Sequence, residues 1–328
     1  MALSSTVLIT GSSGYIGAHF VKYFSKEGLR VVGVDQVAPF STLKKYLSAY
    51  LVANIADQEA VFEFCQTQKV KTVLHCAASC LVGESVQFPE RYHENNVVRA
   101  QKFLETITSL GVKIFIFSST AAIYGEPVHT PMVESHPKNP INPYGKTKLQ
   151  FENVLLEKEK EGEIIVGILR YFNAAGADPE AEIGEVHDPE THLIPNAIYA
   201  ALGMKKSFEL YGSDYPTQDG TCVRDFIHVW DLAEAHLRLL NKMIKESKGG
   251  IYNLGTGTGF TVKEVLDEVD HQTKSLLKRE IKARRIGDPT ILVADPTLAR
   301  KDLHWIPQYS SLSIIVSTAL KWHMKETH

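Results

Sequence analysis

Tyr144 and Lys148, in Pro143-Tyr-Gly-Lys-Thr-Lys148, place a phenol and an ammonium four residues apart. In a helix, positions i and i+4 lie on one face. A free tyrosine, with a pKa of about 10, is no base at neutral pH. A cation held beside it favours the phenolate and brings it toward the range of a working proton acceptor. The same spacing also fits an inert, exposed helix pair, so the elements before it must decide between the two readings.

Those elements open with Thr6-Val-Leu-Ile-Thr10, a short run of β-branched type that fits a buried parallel strand. Gly11-Ser-Ser-Gly14-Tyr-Ile-Gly17 follows, and Tyr15 to Glu27 reads as a helix stopped by Gly28. Strand, glycine turn and helix together make a phosphate site: the glycines admit a pyrophosphate, and the helix N-terminus offers free N–H groups. The next strand, Leu29–Asp35, ends on an acid 18 residues after Gly17. A carboxylate there accepts both hydroxyls of an adenosine ribose and repels a 2′-phosphate, so the expected cofactor is NAD rather than NADP. The plain alternative is a tight βα turn with a surface aspartate.

The alternation continues with a strand at Tyr50–Ala53, a helix at Gln58–Thr67 and a strand at Thr72–Cys76 that opens onto Ala77-Ala78. Asn95 is expected to begin an apolar-periodic helix, its amide serving either as a cap or as a cofactor contact. Val112–Phe117 is a fifth strand, running into Ser118-Ser-Thr120-Ala-Ala-Ile-Tyr124, and Ile164–Arg170 is a sixth. Ligands of open α/β sheets sit beyond the carboxyl ends of the strands, so Thr120 and the Tyr144/Lys148 pair face the crevice of the glycine turn. The expected fold is α/β: a Rossmann-type doubly wound parallel sheet (1–177) and a smaller mixed α/β C-terminal lobe (178–328) for substrate. Segments of that lobe are expected to rejoin the main sheet.

The spacing Gly11-x-x-Gly14-x-x-Gly17, with Thr120 at a strand end and Tyr144-x-x-x-Lys148 on the next long helix, resembles the extended branch of the short-chain dehydrogenases/reductases. The resemblance implies that Tyr144 removes a proton from a substrate hydroxyl while hydride leaves the same carbon. Lys148 would hold the phenolate and the nicotinamide ribose, and Thr120 the reacting oxygen. Sugar-nucleotide dehydratases of this branch carry an acid pair after the threonine. Ala121 and Ala122 cannot supply it, which leaves a redox-and-return reaction.

In the second half, Arg224 and Arg285 offer guanidinium forks that match a diphosphate, and Asp288 could take ribose hydroxyls. Taken singly, each fits a surface salt bridge as well. With Leu169-Arg-Tyr-Phe-Asn173, Tyr211–Asp225, Tyr252–Gly257 and Arg284–Asp288, the wording is similar to that of UDP-glucose 4-epimerases from about Thr6 to Trp322. This implies substrate contacts at Thr120, Asn173, His192, Leu193, Tyr211, Arg224, Arg285, Asp288 and Leu292. Cofactor contacts are implied at Gly11, Gly14, Tyr15, Ile16, Gly17, Asp35, Asn54, Ile55, Cys76, Ala77, Ala78, Asn95, Tyr144, Lys148 and Phe172. Asn54 stands where many members have Asp, and Cys80 where some have Lys. Leu292 replaces a bulky Tyr of some members, and a smaller side chain there could admit a 2-acetamido group.

A net charge of −3 over 328 residues argues against a general affinity for nucleic acid or anionic membrane. No apolar run approaches the ~20 residues of a membrane span. Four sparse cysteines lack zinc-finger spacing and the thirteen histidines give no metal pattern, so no metal is expected. His187, His192 and His228 read by default as loop or packing residues. The chain reads as a reduced, cytoplasmic protein, and the resemblance implies a homodimer formed through helices near Asn95–Ser109 and Tyr144–Lys160. The rival readings are epimerisation of another UDP-sugar (N-acetylhexosamine, pentose or uronate) and an NAD-binding sensor without catalysis.

Overall fold

A computed structural model describes residues 6–285 and 289–326. The first half contributes β1 (Thr6–Thr10), β2 (Arg30–Asp35), β3 (Ala49–Val52), β4 (Val70–His75), β5 (Ile114–Thr120) and β6 (Ile165–Tyr171). β7 (Asn173–Ala175), β8 (Phe208–Tyr211), β9 (Val223–Arg224), β10 (Phe226–His228), β11 (Gly250–Leu254), β12 (Phe260–Thr261), β13 (Arg279–Lys282) and β14 (Ile291–Leu292) follow. Seven strands form one parallel sheet in the order β11-β6-β5-β4-β1-β2-β3. β11 is a segment of the second half that returns to the sheet, with Gly250 in register beside Gly167.

Both sheet faces are covered, which is why the strands read as nearly continuous apolar runs. Side chains alternate along each strand. Val7 and Ile9 pack with Phe20 and Phe24 of helix Tyr15–Lys26 and Leu239 of helix Val229–Glu246. Leu8 points to the other face, toward Val61, Phe103 and Phe151 of helices Gln58–Gln68, Arg99–Ser109 and Pro143–Lys160. A separate core of Ile194, Ile198, Phe208, Val265, Leu266, Ile315 and Val316 builds the second lobe. Its helices follow the sequence periodicity closely, with Val262–Thr273 started by a capping box of Thr261 and Glu264.

Asn95 does not begin a helix. Helical backbone starts at Pro89 and passes through a π turn, Glu94–Val98, before Arg99–Ser109, so the cap reading of Asn95 is corrected. Its amide instead donates to Ser79 Oγ at 3.1 Å.

Strand order reverses around β1, whose neighbours are β2 and β4. The crevice at that switch point lies beyond Thr10 and His75, where the glycine turn and Cys76–Ala78 meet.

Candidate active site

Local sequence places the phenol. Asn142 accepts the Gly145 N–H at 2.8 Å through its side chain, and Pro143 occupies the first helical position. Tyr144 therefore falls in the first turn of helix Pro143–Lys160 and Lys148 one turn later. Thr120 ends β5, and its hydroxyl oxygen accepts the Ala122 N–H at 3.1 Å, capping the turn Ala121–Ile123. Its proton remains to donate to the Tyr144 oxygen, a hydrogen bond that favours the phenolate. Burial opposes this and dominates, so the Tyr144 pKa stands above that of free tyrosine.

Lys148 is 4% exposed, and its Nζ donates to the Ser118 carbonyl at 2.9 Å. The ammonium lies 4.7 Å from the Phe117 ring centre and 6.0 Å from that of Tyr144. Burial lowers its pKa to about 8. The three sequence-selected groups thus meet at one strand end.

The glycine turn fits a dinucleotide. Gly11 has φ +67°, and a Cβ there would lie 2.8 Å from Ala77 N. At Gly17 it would lie 2.0 Å from the Gly11 carbonyl oxygen, so the turn closes only with glycine. Gly14 differs: its Cβ would meet only Gly11 O, at 3.5 Å, and its outer side is open. Gly14 is also the helix N-cap, with no side chain on the first-turn N–H groups of Tyr15, Ile16 and Gly17. Asp35 Oδ2 accepts the Ser13 N–H at 2.9 Å and Oδ1 that of Val37 at 3.0 Å, leaving further lone pairs on both oxygens. Asn54 lies at the same end, its amide donating to Gln36 Oε1 at 3.3 Å, with Ile55 buried behind it. The Tyr15 hydroxyl turns away and donates to Gly176 O at 2.6 Å. Burial raises the Cys76 thiol pKa to about 11, so it stays protonated, and its sulfur accepts the Ser118 hydroxyl at 3.2 Å.

In the second half, three expected substrate residues share one ridge. Leu292 pairs in register with Arg224 across β14 and β9, and the Asp225 N–H donates to Leu292 O at 3.0 Å. Asn173 donates to Asp225 O at 3.0 Å through its side chain. Leu292 and Phe172 pack with Leu149 against Ala121, Ile123, Tyr124 and Met132, which ties the ridge to helix Pro143–Lys160. Arg285 lies on a different sheet region, after β13, and its guanidinium stacks 4.0 Å over the exposed side of Tyr211. Arg284 instead pairs with Asp214 at 2.8 Å. Asp288 lies outside the described residues. Leu193 begins helix Leu193–Ala201 and leans on the core of the second lobe.

Three features escaped the sequence reading. Arg170, fully buried, binds Glu152 by two hydrogen bonds (Nε–Oε1 3.0 Å and Nη2–Oε2 2.7 Å) and donates to the Tyr124 hydroxyl at 2.9 Å. Glu152 stands one turn after Lys148, so this pair locks helix Pro143–Lys160 onto β6. Asn96 bridges the Ser79 backbone and the Thr147 hydroxyl at 3.1 Å, and a π turn at such a place is the signal that could have drawn attention to it. Asp225 accepts from Thr256, Gly257 and Ala294 N–H groups, fixing two segments beside Arg224.

The histidine expectations divide. His228 is a packing residue, capping its helix through Trp230 N–H and bonding Thr318. His187 and His192 converge instead with Glu185 and Glu190. No helix among the described residues is long and apolar enough to cross a membrane.

Known proteins supply the comparison. The NAD dependent epimerase/dehydratase family matches residues 7–255. A UDP-glucose 4-epimerase of Rhizobium leguminosarum bv. trifolii is 44% identical over 323 residues, covering 98% of each chain. UDP-arabinose 4-epimerase 1 of Arabidopsis thaliana is 40% identical across 96% of this chain and 78% of its own. Among solved structures, the UDP-glucose 4-epimerase of Brucella ovis in complex with NAD superposes with a TM-score of 0.93 at 40% identity, covering 97% of this chain and 98% of that one. With its glycine cradle, strand-end threonine and Tyr-Lys helix in place, this chain belongs to the NAD-dependent epimerase/dehydratase family.

Proposed function

We propose that the chain interconverts UDP-glucose and UDP-galactose by inversion at sugar C4, with tightly held NAD. The observation that carries this reading is the meeting of Thr120, Tyr144 and Lys148 beside the ridge of Asn173, Arg224 and Leu292, with Ala121 and Ala122 where a dehydratase needs acids. Relatives named as UDP-glucose 4-epimerases over nearly the whole chain support it.

Gly11, Gly14 and Gly17 would hold the dinucleotide pyrophosphate, Asp35 the adenosine ribose, and Lys148 the nicotinamide ribose. When bound, the oxidised ring supplies the hydride acceptor and a positive charge. That charge matters for Tyr144, because burial above all holds the phenol up, and the Lys148 ammonium lies 6.0 Å from its ring centre. Tyr144 takes the proton of the 4-hydroxyl and later returns it, and Thr120 steadies the same oxygen. Arg224, Arg285 and Asn173 anchor the diphosphate. The hexose is left free to turn about that anchor as a 4-keto sugar and present its other face.

A coupled assay of UDP-galactose conversion tests the reading, with Tyr144→Phe as the decisive variant. We expect retained NAD and loss of turnover by about 10²–10⁴-fold. Full turnover in Tyr144→Phe would refute the mechanism. The Arabidopsis relative favours a second arm with a UDP-pentose. We further infer a cytoplasmic homodimer: exposed Val82, Val86 and Phe88 lie on and after a short helix that packs beside Pro143–Lys160, where the resemblance places a two-fold contact. Light scattering on a sizing column decides it, and a monomer would overturn it.

A further inference from the structure

We infer that Glu185, His187, Glu190 and His192 form a binding site for one borderline divalent cation, of which Zn2+ is the type. The inference stands apart from the epimerase reading and adds a ligand that the reaction does not require.

All four residues come from one loop, in the spacing Glu-x-His-x-x-Glu-x-His, and each offers one donor atom within 4.8 Å of the others. Glu185 Oε1 lies 2.7 Å from His192 Nδ1 and 3.1 Å from His187 Nδ1. His187 Nδ1 lies 3.7 Å from Glu190 Oε2, and His192 Nδ1 3.0 Å from Glu190 Oε1. Ligand atoms on a tetrahedral Zn2+ with bonds of about 2.0–2.1 Å are separated by roughly 3.3–3.4 Å, so these distances bracket the required ones.

Two of the donor atoms have no satisfactory partner. His187 Nδ1 and Glu190 Oε2 are buried and lack an aligned hydrogen bond. The Glu190 side chain is only 3% exposed, yet Oε2 faces this cluster, while Oε1 is held by the N–H groups of Thr191 and His192 at 2.7 and 2.8 Å. A carboxylate oxygen at that depth, with only His187 Nδ1 beside it at 3.7 Å, calls for a cation, supplied by the protonated imidazole or by a metal ion. The backbone bonds on Oε1 are the kind of outer support that orients a ligating carboxylate.

The surroundings keep the loop in place. Trp322 Nε1 donates to Glu185 O at 3.2 Å, and Asn196 donates to the carbonyls of Glu190 and His192 at 3.2 and 2.8 Å. With neutral imidazoles the two carboxylates carry a double negative charge that one dication cancels. Two imidazole nitrogens with two carboxylate oxygens favour Zn2+ or Co2+ over Mg2+ or Ca2+. A second group of this kind among the described residues, Asp178, Glu180 and Glu182, already has its cation: Lys22 Nζ lies 2.5, 2.8 and 3.0 Å from the three carboxylates.

The test uses the full chain without an affinity tag, dialysed against chelator. Co2+ titration should develop the visible absorption of a four-coordinate ion, saturating at one equivalent, and Zn2+ should displace it. Glu190→Gln and His187→Gln should each weaken Zn2+ binding in calorimetry by at least about tenfold. X-ray absorption of the wild-type Zn2+ complex should show a nitrogen and oxygen shell with imidazole scattering, which keeps the test decisive even if both variants misfold. Absence of Co2+ colour and of Zn2+ heat, meaning the cluster is closed by protons alone, overturns the inference. Undiminished binding in both folded variants overturns it equally, as does a sulfur ligand in the absorption spectrum.

Discussion

The backbone of Gly145 lies so close to Ala122 that a Cβ on Gly145 would stand 2.4 Å from the Ala122 carbonyl oxygen. The contact joins the first turn of helix Pro143–Lys160 to the turn that follows Thr120. It explains the glycine in Pro143-Tyr-Gly-Lys: the residue after Tyr144 must have no side chain for Tyr144 to reach Thr120. Gly145→Ala therefore shifts the phenol from the Thr120 hydroxyl while removing neither group. Displacement on the scale of 1 Å costs up to about 10²-fold in turnover. The variant should keep its NAD, measured by absorbance of released cofactor, and lose kcat far more than UDP-sugar affinity. Wild-type turnover would mean that the helix has slack the geometry does not show.

Lys148 gives a prediction with a definite pH sign. Burial lowers its pKa from 10.5 to about 8, so the unfolded chain binds this proton more tightly than the folded one. Stability therefore rises with pH between about 8 and 10.5 and carries a penalty below that window of about 3 kcal/mol. Lys148→Met removes the buried charge at similar length. The variant should be at least as stable as the wild type at neutral pH, and should lack the wild-type gain on moving to about pH 10. Its turnover should fall by about 10²–10⁴-fold. Urea unfolding of both proteins at the two pH values provides the check; identical pH slopes would show that Lys148 titrates normally in the fold.

The parts of this site written in short stretches were legible beforehand. Thr6–Asp35 encodes strand, glycine turn, helix and acid within one unit, and each appears within a residue or two of its expected bounds. Tyr144 and Lys148 needed only the helical repeat. The supports were illegible because they join residues far apart in sequence. Glu152 meets Arg170 across 18 positions, and Tyr124 meets Asn253 across 129. The sequence offers no sign of the buried bridge made by Asn96, the neighbour of Asn95, since a π turn shifts the face that periodicity assigns. His187 and His192 looked like loop residues because the two glutamates that gather them obey no familiar ligand spacing.

The Glu152–Arg170 pair is a structural prediction. Both side chains are essentially inaccessible, and Ser119 donates a further hydrogen bond of 2.5 Å to Glu152 Oε1. Removing one member leaves an uncompensated buried charge, so Glu152→Ala should lower unfolding free energy by about 3–5 kcal/mol. The double change Glu152→Leu with Arg170→Met should recover much of that loss, since an apolar pair of similar volume avoids both desolvation costs. Denaturant unfolding of the two variants measures the difference. A double variant no better than the single would assign the loss to Tyr124 and the Glu134 carbonyl, the other partners of Arg170.

On the epimerase reading, Leu292 would set the size of the sugar that can be turned over. Its strand runs beside Arg224, and its side chain packs with Phe172 and with Leu149, the residue after Lys148. It therefore stands between Arg224 and helix Pro143–Lys160, the interval a hexose would span if Arg224 holds the diphosphate and Tyr144 the reacting hydroxyl. A leucine there leaves room that a tyrosine would fill. The wild type should accept UDP-N-acetylgalactosamine as well as UDP-galactose. Leu292→Tyr should cut kcat/KM for the acetamido sugar by at least about tenfold and change that for UDP-galactose by no more than about threefold. Steric exclusion acts only on the larger group, so equal losses on both substrates would point to a displaced Arg224, and indifference of both would remove Leu292 from the sugar pocket.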